Sequence, residues 1–254
     1  MIAFSEPSDA QLASPIGRIS PIVKLGIAIG WLIGLAFTLD PFPPLVLALL
    51  VLVVGTILGN IPSRRLALGL APLWAAAVGI GLFNALFSGR NADPTLPVLF
   101  VLGPFHVTEA AALAGLGLAL RVMAIASVGV VFALTTDSTR LVDSLVQQGR
   151  VPERFAYGAL AAYQAIPRLS DDLAALRQAR RLRGLRWSWH PRLLVGLLVL
   201  AIRHGDRLAL AMDARAFGSG PRSRYRSVRW SWLDAIAVLA AAALLTVALT
   251  LGRG

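Results

Sequence analysis

The sequence predicts an all-α, polytopic membrane protein with about five transmembrane helices and long amphipathic cytoplasmic helices. The chain is 57% hydrophobic and 15% charged, with a mean hydropathy of +0.72, which is more apolar than a typical soluble domain. Its apolar residues fall in separate runs, most of them about long enough to cross a hydrocarbon core of ~30 Å. Its basic residues concentrate instead in one segment, residues 137–229.

Four apolar runs define a predicted membrane domain over residues 21–136. A cytoplasmic N-terminal lead-in, residues 1–20, precedes it, and we expect this lead-in to be loosely ordered. Residues 230–254 form the predicted final transmembrane helix. Prolines and charged residues separate the runs, because proline cannot continue a helix interior. The predicted spans are 22–39, 45–58, 66–87, 109–135 and 233–251.

Residues 88–108 differ from the runs on either side. Several glycines and prolines interrupt two short apolar pieces, 98–102 and 105–107. This pattern predicts a small hairpin or a re-entrant loop between the third and fourth spans.

The distribution of charge predicts the orientation of the chain. Residues 137–229 hold 17 Arg against 7 Asp and Glu, which is +10 of the total net charge of +11. Cytoplasmic loops of membrane proteins carry such an excess, so we expect this segment and the N-terminus to be cytoplasmic. Five spans then place the C-terminus outside the cell membrane. The basic charge therefore indicates topology and contact with the lipid bilayer, and we expect no nucleic acid partner.

The basic segment itself contains three predicted helices. The first covers residues 139–148 and is capped by Ser138 or Asp137. Pro152 begins the second, which has apolar residues at helical spacing and Pro167 as a predicted kink. Pro191 begins the third, which we expect to stay outside the bilayer although residues 193–202 are strongly apolar.

Two helix ends in this segment share a pattern. The predicted helix end at residues 178–184 contains Arg180 and Arg183, followed by Gly184. The predicted helix end at residues 211–218 contains Arg215, followed by Gly218. Arginine in a last turn is favoured by the helix dipole, and glycine just beyond it can adopt the left-handed cap conformation. A basic surface near anionic lipid is the simpler explanation of the same arginines.

Arg121 lies near the middle of the fourth predicted span. An arginine within a membrane is costly and faces protein or water. We consider two roles for it: a pivot that holds the membrane domain against a partner or against residues 137–229, or a structural pair. The pair would be formed with backbone carbonyls or with Glu109, Asp137 or Asp234.

Several kinds of chemistry lack support in the sequence. Cysteine is absent, and the only lysine, Lys24, does not lie in a phosphate-binding loop. The three histidines are scattered without the spacing of a metal site. We therefore expect no metal, no cofactor and no catalytic residues. A membrane enzyme acting on an anionic lipid is the alternative, with Glu109, Asp137 or Asp234 as its acid or base.

Sequence motifs along most of the chain resemble one family. Two triplets are the most specific: Leu182-Arg183-Gly184 and Ala214-Arg215-Ala216 stand where the family has Ala-Arg-Gly. The arginine is kept in both triplets, and Arg180 competes with Arg183 in the first. The other motifs are residues 20–25, 118–121, 135–136, 141–145, 151–152 and 163–169. The chain resembles the transmembrane component of energy-coupling factor transporters, which import vitamins and transition-metal ions.

The resemblance implies a mechanical role. Each triplet would dock on one of two cytoplasmic ABC ATPase subunits, identical or different. The long helices and the membrane spans would receive a small membrane-embedded substrate-binding subunit. The implied docking residues are Arg180, Arg183, Gly184, Ala214, Arg215 and Ala216, and the implied structural or coupling residues are Arg121, Pro152, Pro167 and Asp213. ATP hydrolysis would take place on the partners.

Overall fold

The computed structural model describes residues 8–38, 40–93, 95–102, 105–185, 190–220 and 226–251. It divides into two compact units: a membrane unit, residues 1–141 with 229–254, and a helical unit, residues 142–228. The described elements are α1 (Asp9–Leu12), α2 (Pro15–Arg18), α3 (Pro21–Ala36), α4 (Phe42–Ile57), α5 (Ser63–Leu86), β1 (Val98–Leu102), β2 (Phe105–Thr108), α6 (Glu109–Thr135), α7 (Ser138–Gln147), α8 (Glu153–Leu182), α9 (Arg192–Ala214) and α10 (Trp232–Leu251). The predicted fold class is confirmed: the chain is an all-α polytopic membrane protein.

The five predicted spans appear as five apolar helices of unequal length. Three have the length and composition to cross a membrane, within Ser63–Ala92, Glu109–Thr135 and Trp232–Thr250. Pro21–Ala36 and Phe42–Ile57 are 16 residues each, which is roughly 24 Å and shorter than a ~30 Å hydrocarbon core. The α3–α4 hairpin is therefore shorter than the neighbouring pair of helices.

The α3 helix ends three residues before the predicted limit of 39. Its C-cap is Phe37, and the hydroxyl of Thr38 donates to the carbonyl of Leu35 at 2.9 Å. This bond satisfies one of the carbonyls that a helix end leaves without a partner. Position 39 itself lies outside the described residues. The next helix, α4, has Pro43 and Pro44 in its first turn. Proline is tolerated there, because an N–H group at these positions would have no acceptor within the helix.

Close contact between α5 and α6 forms the most extensive helix pair of the membrane unit. A Cβ atom added at Gly81 would lie 2.7 Å from both the Ala119 Cβ atom and the Gly115 carbonyl oxygen. Small residues let two membrane helices approach to backbone contact, where packing rather than hydrophobicity drives association. Below this contact Leu70, Val130 and their neighbours form the buried apolar core with α3, α4 and α10.

Of the two alternatives predicted for residues 88–108, a hairpin or a re-entrant loop, the structure shows the hairpin. β1 and β2 pair antiparallel, and Val101 lies opposite His106. Asn91 holds the hairpin to the end of α5: its side-chain carbonyl accepts from the Thr108 N–H at 3.0 Å, and its amide donates to the Ala85 carbonyl at 2.8 Å. Positions 94, 103 and 104 lie outside the described residues.

The lead-in is more ordered than expected over the residues that the structure describes. The α1 and α2 helices are each one turn long, and the Ser14 hydroxyl accepts from the Gly17 N–H. Gln11 is 1% exposed. Serine caps of this kind satisfy helix N–H groups that would otherwise lack partners. Residues 1–7 lie outside the described chain.

Two buried charged side chains join the helix ends of the membrane unit. Lys24 Nζ donates to the Thr135 carbonyl at 2.8 Å, at the last residue of α6. The Asp234 carboxylate, 2% exposed, accepts from the Ser20 N–H at 2.8 Å and from the Ser231 N–H at 2.9 Å. Asp234 thereby caps the N-termini of α3 and α10 with one side chain, and Lys24 neutralises the negative end of α6.

Removal of the Asp234 carboxylate tests this arrangement. We expect Asp234→Ala to lower the thermal unfolding midpoint in detergent by roughly 5–10 °C, because two buried N–H groups lose their acceptor. Asp234→Asn should give a smaller loss, since its one carbonyl oxygen retains a single bond. Tryptophan fluorescence on heating measures both midpoints. Asp93→Ala, at an exposed site, is the control, and equal midpoints for all three variants would contradict the capping role.

Candidate functional site

The first arginine-containing helix end, at the C-terminus of α8, closes by a Schellman motif. Arg183 is the C-cap, and Gly184 follows with φ of +75°. The Leu185 N–H bonds to the Arg180 carbonyl at 3.3 Å, and the Gly184 N–H bonds to the Arg181 carbonyl at 3.0 Å. These two bonds define the motif and satisfy the last carbonyls of the helix with backbone alone. The predicted glycine cap is confirmed here.

The second helix end, at the C-terminus of α9, closes by the same two bonds. The Phe217 N–H bonds to the Met212 carbonyl at 3.0 Å, and the Ala216 N–H bonds to the Asp213 carbonyl at 2.9 Å. Arg215 is the C-cap, so the left-handed residue is Ala216, with φ of +53°. The prediction that glycine caps this end is therefore wrong: α9 ends at Ala214, and Gly218, which also has a positive φ of +78°, lies three residues beyond the C-cap Arg215.

Arg183 and Arg215 occupy equivalent C-cap positions with similar backbone angles. Their φ and ψ are −83° and 9° for Arg183, and −94° and 11° for Arg215. Both residues are exposed, and so is Leu182, at 89%. A guanidinium at such an end offers several directed donors to a carboxylate or a carbonyl of a partner protein.

The structure distinguishes Arg180 from Arg183. Arg180 lies in the last turn of α8, is partly buried, and its Nε atom is enclosed without a hydrogen-bond partner among the described residues. Arg183 is exposed one position before the left-handed glycine. Only Arg183 has a counterpart at the same cap position of α9. Arg183 and Arg215 are therefore the equivalent residues of the two helix ends.

The start of α8 holds the second helix end in place. Arg154 Nη2 donates to the Gly218 carbonyl at 3.0 Å, and a side chain at Gly218 would collide with Arg154 Nε. The Tyr157 ring meets Phe217 edge to face, with centroids 6.4 Å apart. The Tyr157 hydroxyl donates to the Asp143 carboxylate at 2.8 Å, which ties this cluster to α7. Sequence reasoning missed these contacts, because they join residues 14 to 64 positions apart.

Contacts along α8 and α9 follow an antiparallel order. Leu176 packs against Gly196 near one end of the pair, and Arg154 meets Gly218 at the other. The two arginine ends therefore lie at opposite ends of the pair. They are separated by about the length of α8, whose 30 residues span roughly 45 Å when straight.

The predicted structural or coupling residues lie on three different helices, α8, α9 and α6. Pro152 is the N-cap of α8, and Pro167 lies inside that helix, which continues through it. The predicted kink at Pro167 stays a prediction. Asp213 is exposed in the last turn of α9, and its carbonyl takes part in the cap. Arg121 belongs to α6 in the membrane unit.

Two of the three carboxylates of the alternative lipid enzyme have structural partners. Asp234 is buried and accepts two backbone N–H bonds, and Asp137 accepts from the Arg140 N–H at 3.1 Å as the cap of α7. Glu109 lies in the first turn of α6, where an acidic residue favours the helix dipole. None of the three pairs with Arg121 among the described residues. No group of three metal-ligating side chains occurs in the described chain either.

Comparison with known proteins gives consistent similarities. A model of the cobalt transport protein family matches residues 13–226. The chain is 28% identical over 242 residues to an energy-coupling factor transporter transmembrane protein of Heliobacterium modesticaldum, covering 88% of each chain. It is 27% identical over 247 residues to the protein of the same name in Streptococcus thermophilus, covering 90% of this chain and 91% of the relative.

A third relative is longer than this chain. The similarity to a putative ABC transporter ATP-binding protein of Bifidobacterium longum extends over 260 residues at 25% identity. It covers 95% of this chain and 32% of that protein.

The two cap positions provide a matched pair of substitutions. Ala216→Gly should stabilise the end of α9 by about 1 kcal/mol, because alanine pays a steric cost at positive φ that glycine does not. Gly184→Ala should destabilise the end of α8 by a similar amount. Amide hydrogen exchange in the last turn of each helix measures both effects. Faster exchange in Ala216→Gly, or no change in Gly184→Ala, would contradict the cap assignments.

Proposed function

The chain belongs to the cobalt transport protein family as a transmembrane component of energy-coupling factor transporters, and on that premise we propose that it transmits motion from two ATPase subunits. The motion drives a membrane-embedded substrate-binding subunit during the uptake of a vitamin or a transition-metal ion. The chain is a transport component, and ATP hydrolysis belongs to its partners. The observation that carries the proposal is the pair of equivalent arginine-capped helix ends on α8 and α9.

The geometry of this pair suits two separate docking partners. Both ends have the same backbone bonds, the same C-cap arginine and an exposed last turn. Because α8 and α9 are antiparallel, the two ends point in opposite directions along the pair. One end engages each ATPase subunit, so a change in the distance between the ATPases becomes a movement of the helix pair.

The similarity to an ABC transporter ATP-binding protein supports ATPases as the partners. The charge of the segment supports the same assignment, since residues 137–229 carry 17 Arg against 7 Asp and Glu. Arginine caps with several permanent donors suit acidic or carbonyl-lined grooves on a protein surface.

The apolar surface of α8 and α9 supports a membrane-embedded partner. Within the helical unit Phe155 is 76% exposed, Val195 62% and Leu210 69%. Ala156 and Leu193 are the buried residues of these two helices. Soluble proteins do not leave apolar patches of this extent uncovered. A small hydrophobic substrate-binding subunit, with the lipid bilayer, would cover them.

The charge pattern supports a cell-membrane location with the N-terminus and the helical unit in the cytoplasm. Lys24 lies in the first turn of α3, and Arg64 and Arg65 lie in the first turn of α5, so these three basic residues of the membrane unit lie at the starts of its helices. The positive-inside rule places that end in the cytoplasm.

Charge reversal at the two caps tests the proposal. The Arg183→Glu/Arg215→Glu double variant should reach the membrane at wild-type level but lose the ATPase subunits, because each docking site then carries the wrong charge. Affinity purification from native membranes in mild detergent, followed by mass spectrometry, identifies the companions. We expect at least a ten-fold loss of ATPase per copy of the tagged chain.

A double variant of α9 provides the control. Arg203→Glu/Arg207→Glu makes the same change of charge at exposed mid-helix positions, and it should keep the ATPases. Equal loss of the ATPase subunits in both double variants would show that the effect comes from net charge and not from the cap positions. Retention of the ATPases by the cap variant would overturn the docking assignment.

Single substitutions separate the two arginines of α8. Arg183→Ala should lower ATPase recovery several-fold, because it removes the exposed cap donor. Arg180→Ala should have a smaller effect on recovery, since this side chain is partly buried within the chain. The same purification measures both variants, and a larger loss with Arg180→Ala would move the docking role to that residue.

A further inference from the structure

The helices of the membrane unit extend to different heights. Arg121 lies at the step where α3 and α4 end but α6 continues. The bond from Lys24 to Thr135 fixes α3 and α6 at a common level. Arg121 is 14 residues before Thr135, and Ala36 is 12 residues after Lys24, so both lie roughly 20 Å from that level. The α3–α4 hairpin turns there, at Asp40 and Pro41. By contrast, α6 continues past Arg121 to Glu109, which is roughly 18 Å further.

An open cavity occupies this step. Its volume is about 360 Å³, and its lining contains two arginines, one aspartate and one asparagine beside apolar side chains. The lining residues are Asp40, Pro41, Asn84, Arg90, Leu113, Ala114, Leu118 and Arg121. The Nε atom of Arg121 is buried, and among the described residues it has no hydrogen-bond partner. Arg90 uses one guanidinium nitrogen on the Ala110 carbonyl, at 3.2 Å.

The position of the cavity makes its charges costly without a ligand. A hydrocarbon core of ~30 Å that begins at the level of Lys24 extends past Arg121 and Asp40. Charged groups at such depth are tolerated where water or lipid headgroups reach them through a local thinning of the bilayer. The α3–α4 hairpin has its polar turn below the outer end of α6, and such a thinning would bring lipid headgroups to the level of this turn.

We propose that this cavity binds a phosphate group, supplied by the headgroup of a phospholipid in the outer leaflet. Arg121 and Arg90 offer forked donors that match phosphate oxygens. Asp40 reduces the charge of the lining to +1, which matches the single negative charge of a phosphodiester. The carboxylate of Asp40 also accepts from an ammonium group, so phosphatidylethanolamine fits both signs of charge. The bound lipid fills the step and completes the membrane surface between the α3–α4 and α5–α6 hairpins.

Lipid retention by the purified full-length chain tests the site. The protein is delipidated in detergent and then given phosphatidylethanolamine, phosphatidylglycerol or a diacylglycerol with the same acyl chains. Native mass spectrometry counts the lipids that remain. We expect either phospholipid to bind at least ten-fold more tightly than diacylglycerol. Competition by millimolar glycerophosphate would show that the same site also takes a phosphate group from water.

Two variants connect binding to the cavity. Arg121→Gln and Arg90→Gln should each reduce the preference for phospholipid over diacylglycerol to less than three-fold. Arg90 is exposed, so its variant keeps the test valid if Arg121→Gln does not fold. Arg65→Gln, an exposed arginine at the opposite end of α5, should keep the full preference. Equal binding of phospholipid and diacylglycerol by the wild-type chain, or an unchanged preference in both cavity variants, would overturn the proposal.

Discussion

Lys24 donates to the last carbonyl of α6, and Asp234 accepts from the backbone N–H groups that begin α3 and α10. Helix ends leave backbone groups without partners, and within a membrane those groups find no water. In the membrane unit one helix therefore supplies the cap of another. The arrangement of α3, α6 and α10 depends on these two buried side chains, because each fixes the relative height of the helices that it joins.

The helical unit meets the same requirement in a different way. The ends of α8 and α9 close with their own backbone, through Schellman motifs that need no side chain. The cap bonds of both ends join backbone groups, and an arginine occupies the C-cap position of each. An end that closes itself needs no cap from the side chain of a neighbouring helix.

Packing density distinguishes the two units further. The α5 and α6 helices meet through Gly81 and Gly115 at backbone contact, whereas the long helices α8 and α9 bury Ala156 and Leu193 and expose many large apolar side chains. Helices with few internal contacts gain most of their stability from the surfaces that cover them. Among the described residues the membrane unit has a buried apolar core, whereas α8 and α9 bury one residue each.

The sequence by itself determined the number and order of the apolar helices, the hairpin before α6, and the two arginine-containing helix ends. These features follow from periodicity, proline and glycine positions and charge, all of which act over a few residues along the chain. The tertiary structure decided that Ala216 rather than Gly218 takes the left-handed cap position, because the end of α9 is fixed by Arg154 and Tyr157 of α8. It also decided the roles of Lys24 and Asp234, whose partners lie 111 and 214 positions away. Contacts of such separation depend on how helices of different lengths pack side by side, and this packing also places Arg121 level with the turn at Asp40.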